Sequence, residues 1–159
     1  MESIVSDTTT LIILGKLGRY ELLGNLFDKV YIPHEVMNEI SKKSDGIYDV
    51  LLSHSLFEKK KISNLTLIKV LDGLLDKGES EAIVLAKELN LILLIDEKKG
   101  RTVAKNMGLE IIGLLGILIL NVKKEKMTKN EVILVLEEIK SLKFRVSKKL
   151  EAHFLLTLG

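Results

Sequence analysis

The chain has 159 residues, the length of one ordinary domain, and no cysteine, which excludes disulfides, thiolate metal sites and cysteine nucleophiles and suits a reducing compartment, the cytoplasm by default. Its 24 basic and 22 acidic residues leave a net charge of +2, so attraction to a polyanion has to come from local patches. A hydrophobic content of 47% and a mean hydropathy of +0.23 are high for a soluble monomer and predict a self-association surface, with a homodimer as the expected state.

The run Ser3-Ile4-Val5 reads as a short strand with Asp7 just beyond it. Residues 9–15 and 19–27 read as two short helices, and 30–32 as a brief strand. Pro33 suits the first turn of a helix whose apolar face is Val36, Met37 and Ile40 and which carries Glu35 and Glu39. Residues 41–61 are the least regular part, opening on Ser-Lys-Lys-Ser-Asp-Gly and closing on Glu58-Lys59-Lys60-Lys61. They are expected to form an insertion or arm, in which 48–57 is the stretch suited to a helix. A strand is expected within 62–70. Residues 78–89 read as a strong helix with Ala82, Ile83, Leu85, Ala86 and Leu89 on one side, ended by Asn90, and 91–95 as a buried strand. A helix over 98–107, a strand over 109–112 and a helix over 114–122 follow. Two amphipathic helices close the chain, 128–142 and 147–158, the first opened by Thr128 with Glu131 three residues on, a capping-box pattern. Neither a repeat nor a low-complexity linker is found. Alternating strands and helices imply an α/β sandwich with a mainly parallel sheet.

In such a sheet Asp7, and Asp96 directly after Leu91-Ile92-Leu93-Leu94-Ile95, fall at the carboxyl edge, where open parallel sheets bind their ligands. With Glu39 and the helix start Glu79-Ser80-Glu81 they make a candidate cluster of acids for divalent metal. Each has a plainer reading. An aspartate at a strand-to-helix junction often only caps free amides. Glu79 and Glu81 sit in a first helical turn, where the helix dipole favours negative charge whatever the function, and a mid-helix glutamate such as Glu39 is usually just solvated.

The segments Asp7-Thr8-Thr9-Thr10-Leu11-Ile12, Tyr31-Ile32-Pro33-His34-Glu35-Val36-Met37-Asn38-Glu39-Ile40, Gly78-Glu79-Ser80-Glu81-Ala82-Ile83 and Leu94-Ile95-Asp96-Glu97 occur in the order seen in PIN-domain proteins. Taken together, nearly the whole chain resembles that family, in particular its small prokaryotic VapC-like group of nucleic-acid-binding proteins. The resemblance implies a three-layer α/β/α PIN-like fold with a mainly parallel central sheet, as a single domain over residues 1–159 with 128–159 as a C-terminal helical extension. It implies a Mg²⁺- or Mn²⁺-dependent endoribonuclease, often the toxin of a toxin-antitoxin pair, with RNA as substrate and an antitoxin protein as partner.

Carried over position by position, the catalytic and metal-binding acids are Asp7, Glu39, Glu81 and Asp96, with Glu79 a competing candidate for the third. Glu81 stands where most VapC-type toxins have aspartate, and Thr9-Thr10 where the group commonly shows Ser-Pro. Thr9, Thr10, Lys98 and Arg101 are the candidate substrate contacts. Four neighbouring carboxylates raise one another's pKa unless cations neutralise them, which is why such a cluster predicts metal. Two ions about 3.5–4 Å apart can lower the pKa of a bound water and stabilise both the attacking and leaving oxygens of a phosphodiester. The alternative is a non-catalytic PIN-like module that binds RNA or protein.

Other chemistries are weakly represented. His34, His54 and His153 lack paired metal-ligand spacing. No G-x-G-x-x-G or P-loop pattern occurs, and aromatics at 4% argue against an extensive base-stacking platform. The amino-terminal residues do not read as a secretory signal. The longest apolar stretch, 109–122, is broken by Gly113 and Gly116 and falls short of the ~20 residues of a spanning helix, so no membrane partner is expected.

Overall fold

A computed structural model describes residues 2–43 and 45–159. Its elements are β1 (Glu2–Ser6), α1 (Thr8–Leu17), α2 (Glu21–Gly24), β2 (Phe27–Pro33), α3 (His34–Ser41), α4 (Ile47–Ser53), β3 (Phe57–Lys60) and α5 (Leu65–Leu71). Then come α6 (Lys77–Leu89), β4 (Ile92–Leu94), α7 (Lys98–Asn106), β5 (Ile111–Ile112), α8 (Leu114–Lys123), α9 (Lys129–Ser141) and α10 (Lys148–Leu158). The five strands form one all-parallel sheet in the order β3-β2-β1-β4-β5.

Alternation along the central strands sends successive side chains to opposite faces and so builds two apolar layers. Val5 pairs with Leu93, and both enter the layer made with Ile83 and Leu85 of α6, Ala104 of α7 and Leu71 of α5. Their neighbours Ile4 and Leu94 enter the other, with Leu14 of α1, Ile117 of α8, Val135 of α9 and Phe154 of α10. A one-residue slip of β4 against β1 would exchange these sets, so burial fixes the register. The two tail helices are thus part of one core layer. No helix of the described residues is long and apolar enough to cross a membrane.

Three expectations need correction. The helix expected over 19–27 is only the single turn α2, and β2 starts at Phe27; pairing with β1 draws Asp28 and Lys29 into the strand despite their weak β preference. The irregular stretch 41–61, whose Ser44 lies outside the described residues, holds α4 and then β3 rather than an arm. Phe57-Glu58-Lys59-Lys60 has no apolar alternation to betray a strand, but at the sheet's edge only one side is paired, and lysines suit the open side. The strand expected in 62–70 is α5. The Asn64 side chain caps it by accepting the Leu67 amide at 2.9 Å, which settles the β-branched sequence as helix.

From β1 the chain moves outward to β2 and β3, then returns to add β4 and β5 on β1's other side. The crevice of such a sheet opens at that reversal, between the carboxyl ends of β1 and β4. There the Asp7 amide donates to the Leu94 carbonyl at 2.9 Å, and Asp7 and Asp96 flank the gap.

Candidate acidic site at the carboxyl edge of the sheet

Asp7 is the N-cap residue of α1, but its side chain makes no cap hydrogen bond. The capping reading therefore does not account for it. It is buried, and burial together with the charges of Asp76, Glu39 and Asp96 lifts its pKa from 3.8 to about 7, against the pull of the Thr8 amide. Asp96 stands on the β4 side with both oxygens held: Thr10 Oγ1 donates to Oδ2 at 2.8 Å and the Leu114 amide to Oδ1 at 3.0 Å. Burial raises its pKa, while those two donors and the Arg101 guanidinium draw it back. Glu39 reaches in from α3, where Thr8 Oγ1 donates to Oε2 at 2.9 Å. Its pKa too is raised, by burial first and then by Asp76 and Glu35, with Thr8 and the Gly78 amide opposing.

Glu79 and Glu81 are two residues apart on α6, hence about 200° apart around the helix, so they face different ways. Glu79 is buried toward Asp7. Its pKa rises from 4.5 to about 8 through burial, then through its hydrogen bond with Asp76 and the charges of Asp76 and Asp7. Among the described residues its Oε2 is buried without a hydrogen-bond partner, as is Ser80 Oγ beside it. Glu81 instead accepts the Glu35 amide at 3.0 Å, tying α6 to the start of α3. The structure thus groups Asp7, Glu39, Glu79 and Asp96 and leaves Glu81 at the α3–α6 contact.

Of the expected substrate contacts, Thr10 serves Asp96, while Thr9 is half-buried and its side chain makes no hydrogen bond among the described residues. Lys98 is exposed at the start of α7, and Arg101 Nη1 donates to the Ile95 carbonyl at 2.8 Å beside Asp96. Sequence reasoning missed Asp76, which caps α6 by accepting the Glu79 amide at 2.8 Å and adds its charge to the field at Asp7, Glu39 and Glu79. Its signal was there: Asp76 and Glu79 stand in capping-box spacing. Thr8, the partner of Glu39, was missed as well.

Glycines make room for the acids. A Cβ on Gly78 would lie 2.5 Å from Glu39 Oε1, one on Gly100 2.9 Å from Glu79 Oε2, and one on Gly113 2.8 Å from Asp96 Oδ1. Among the described residues, no three His, Cys, Asp or Glu side chains are gathered tightly enough to ligate an ion as they stand, because Glu39 and Asp96 lean on donors of their own. The donor set nevertheless fits a hard divalent cation: it is all oxygen, carries excess negative charge and includes an orphaned buried carboxylate oxygen. A carboxylate has about four lone-pair sites, so Glu39 and Asp96 keep sites for a cation beside the donors that hold them.

The model of a protein family described as a PIN domain, DUF3368, matches residues 3–159. No curated protein matches the chain. Among solved structures, the chain is similar to a PilT N-terminus domain protein from the hyperthermophilic archaeon Sulfolobus solfataricus P2, with 22% identity and a TM-score of 0.52 over 74% of this chain and 90% of that one. That likeness is one of fold.

Proposed function

Because the chain belongs to the PIN-domain family, which is generally associated with nuclease activity, we propose that it is an endoribonuclease using Mg²⁺ or Mn²⁺ at the carboxyl edge of its sheet. The observation that carries this reading is the surplus of buried negative charge between β1 and β4, where Asp7 and Glu79 are driven toward protonation and Glu79 Oε2 has no donor. A buried polar atom left unsatisfied costs about 1–3 kcal/mol, more when charged, and a divalent cation is the ligand that removes the penalty.

Asp7, Glu39, Glu79 and Asp96 would hold the metal, which when bound supplies a water of lowered pKa and neutralises charge on the phosphate. The protein's own part is orientation. Thr8 and Thr10 fix the Glu39 and Asp96 carboxylates, and Asp76 anchors the turn that presents Glu79. Arg101 spends one N–H on the Ile95 carbonyl, which leaves further guanidinium donors for a phosphate oxygen. In this reading the nuclease is the toxin of a toxin-antitoxin pair, and RNA is its substrate.

The test is incubation of the purified protein and its Asp7→Asn/Asp96→Asn variant with single-stranded and structured RNAs, with Mn²⁺, Mg²⁺ or EDTA. Metal-dependent cleavage is expected from the first and at least about 100-fold less from the second, the size of loss typical when a charge-stabilising group is removed. Expression of the unaltered protein alone is expected to arrest growth where the variant does not. Cleavage that survives in the variant or in EDTA rules the site out. No cleavage and no metal binding by either protein leaves the non-catalytic module.

A further inference from the structure

Beyond Asp96 the acidic edge opens into a groove of about 460 Å³ between the end of β5, the first turns of α8 and the segment from Phe144 into α10. That is the size of an ordinary ligand site. Its floor is apolar, formed by Ile112, Ile119, Leu150 and Phe154. Its rim carries Arg101, Arg145 and His153, and among the described residues Asp96 is the one acid lining it, at the end that joins the acidic group. Arg145 and His153 are exposed, and neither side chain makes a hydrogen bond or ion pair among the described residues. Gly113 and Gly116 keep α8 close: a Cβ on Gly113 would meet Arg101 Nη1 at 2.8 Å, and one on Gly116 would meet Ile112 Cγ1 at 2.6 Å.

We infer that this groove is the track along which single-stranded RNA leaves the acidic site, with Arg145 and His153 contacting phosphates beyond the scissile one and unstacked bases lying on the apolar floor. The inference rests on the ribonuclease reading above and adds the path of the strand and the residues that hold it. Charge complementarity selects the occupant, because basic side chains without partners line one rim of a groove whose inner end is the reaction site. The floor selects the form: a duplex keeps its bases stacked inside and offers an apolar surface nothing, whereas a single strand can lay its bases on it. The track is one-sided. It runs toward β5, the sheet edge opposite β3 and its lysines.

The experiment measures binding of a fluorescent single-stranded RNA, and of a duplex of the same sequence, to the full chain in EDTA over a series of salt concentrations. The proteins are the unaltered chain, Arg145→Gln/His153→Gln and, as a control at the far edge, Lys59→Gln. All three substituted positions are exposed, and a thermal melt confirms folding. The groove variant is expected to bind single strands at least about tenfold more weakly, with its salt slope reduced by about 0.7 for each phosphate it no longer neutralises. Lys59→Gln is expected to bind normally, and the duplex at least tenfold more weakly than the single strand. Equal binding by the groove variant, equal losses in both variants, no RNA binding by the unaltered chain, or a duplex bound as tightly as the single strand would each overturn the inference. Because binding is read without metal, the inference can fail while metal-dependent cleavage stands. Conversely, absence of cleavage with single-strand binding intact and lost in the groove variant refutes the nuclease reading and keeps the groove as an RNA-binding surface, so the two failures are distinguishable.

Discussion

At Gly100 a single methyl group would lie 2.7 Å from Ile95 Cδ1 and 2.9 Å from Glu79 Oε2, so the residue beside the orphaned carboxylate has no room for a Cβ. Gly100→Ala is expected to displace Glu79, lower metal-dependent cleavage at least tenfold and cost about 1–3 kcal/mol of stability as overpacking. Gly24→Ala is the control: its Cβ would meet only Leu56 at an ordinary 3.9 Å, and stability should hold or rise by up to about 1 kcal/mol in chemical denaturation. The raised acids make a separate claim about pH. Asp7 and Glu79 titrate at about 7 and 8 in the fold, above their ordinary values of 3.8 and 4.5. Between those limits the folded chain holds protons that the unfolded chain has released, so the stability of metal-free protein should fall as pH rises from about 4 to about 8. For Asp7 the shift corresponds to on the order of 4 kcal/mol. Asp7→Asn should therefore raise the melting temperature in EDTA at pH 8 by about 5 °C or more and leave it nearly unchanged at pH 4. A flat profile in the unaltered protein would remove the buried-charge argument.

The helices decide which acids meet. Glu79, Ile83 and Ala86 recur at helical spacing along the buried side of α6, so the periodicity already aimed Glu79 inward, while Glu81 was singled out by the resemblance to PIN-domain proteins and not by its place on the helix. What the sequence did not disclose is the task Glu81 performs, because its partner, the Glu35 amide, lies 46 residues away. Glu81→Ala leaves that amide without its acceptor and is expected to cost about 1–2 kcal/mol in denaturant unfolding while cleavage stays within about threefold. A loss of cleavage without loss of stability would return Glu81 to the metal. Elements with their own local signal were readable: the Thr128 capping box and the Asn90 stop stand where they were expected, and Pro33, expected in the first turn, stands one position earlier as the N-cap of α3. Those missed depend on distant partners. β3 is a strand because β2 lies beside it, and β2 begins early because Glu2 and Ser3 pair with Phe27 and Lys29.

For the molecule as a whole, strand order does what no local signal can. Asp7 and Asp96 are 89 positions apart, and they flank one crevice because β4 returns to the side of β1 that β2 left open. Periodicity pointed to a parallel sheet but was silent on the order β3-β2-β1-β4-β5; resemblance to PIN-domain proteins supplied Asp7, Glu39, Glu81 and Asp96 with Glu79 as a competing third acid, and the fold adds Asp76 and turns Glu79 rather than Glu81 toward Asp7. A net charge of only +2, from 24 basic and 22 acidic residues, hides where those charges gather, so the electrostatics have to be read by place. The most direct test is calorimetric titration of Mn²⁺ at pH 8 into metal-free protein, Glu79→Gln and Glu81→Gln. The unaltered chain and Glu81→Gln should bind alike, and Glu79→Gln at least about tenfold more weakly, as losing a carboxylate ligand from a hard-cation site demands. Absence of Mn²⁺ binding by the unaltered chain, or a loss confined to Glu81→Gln, would contradict the account.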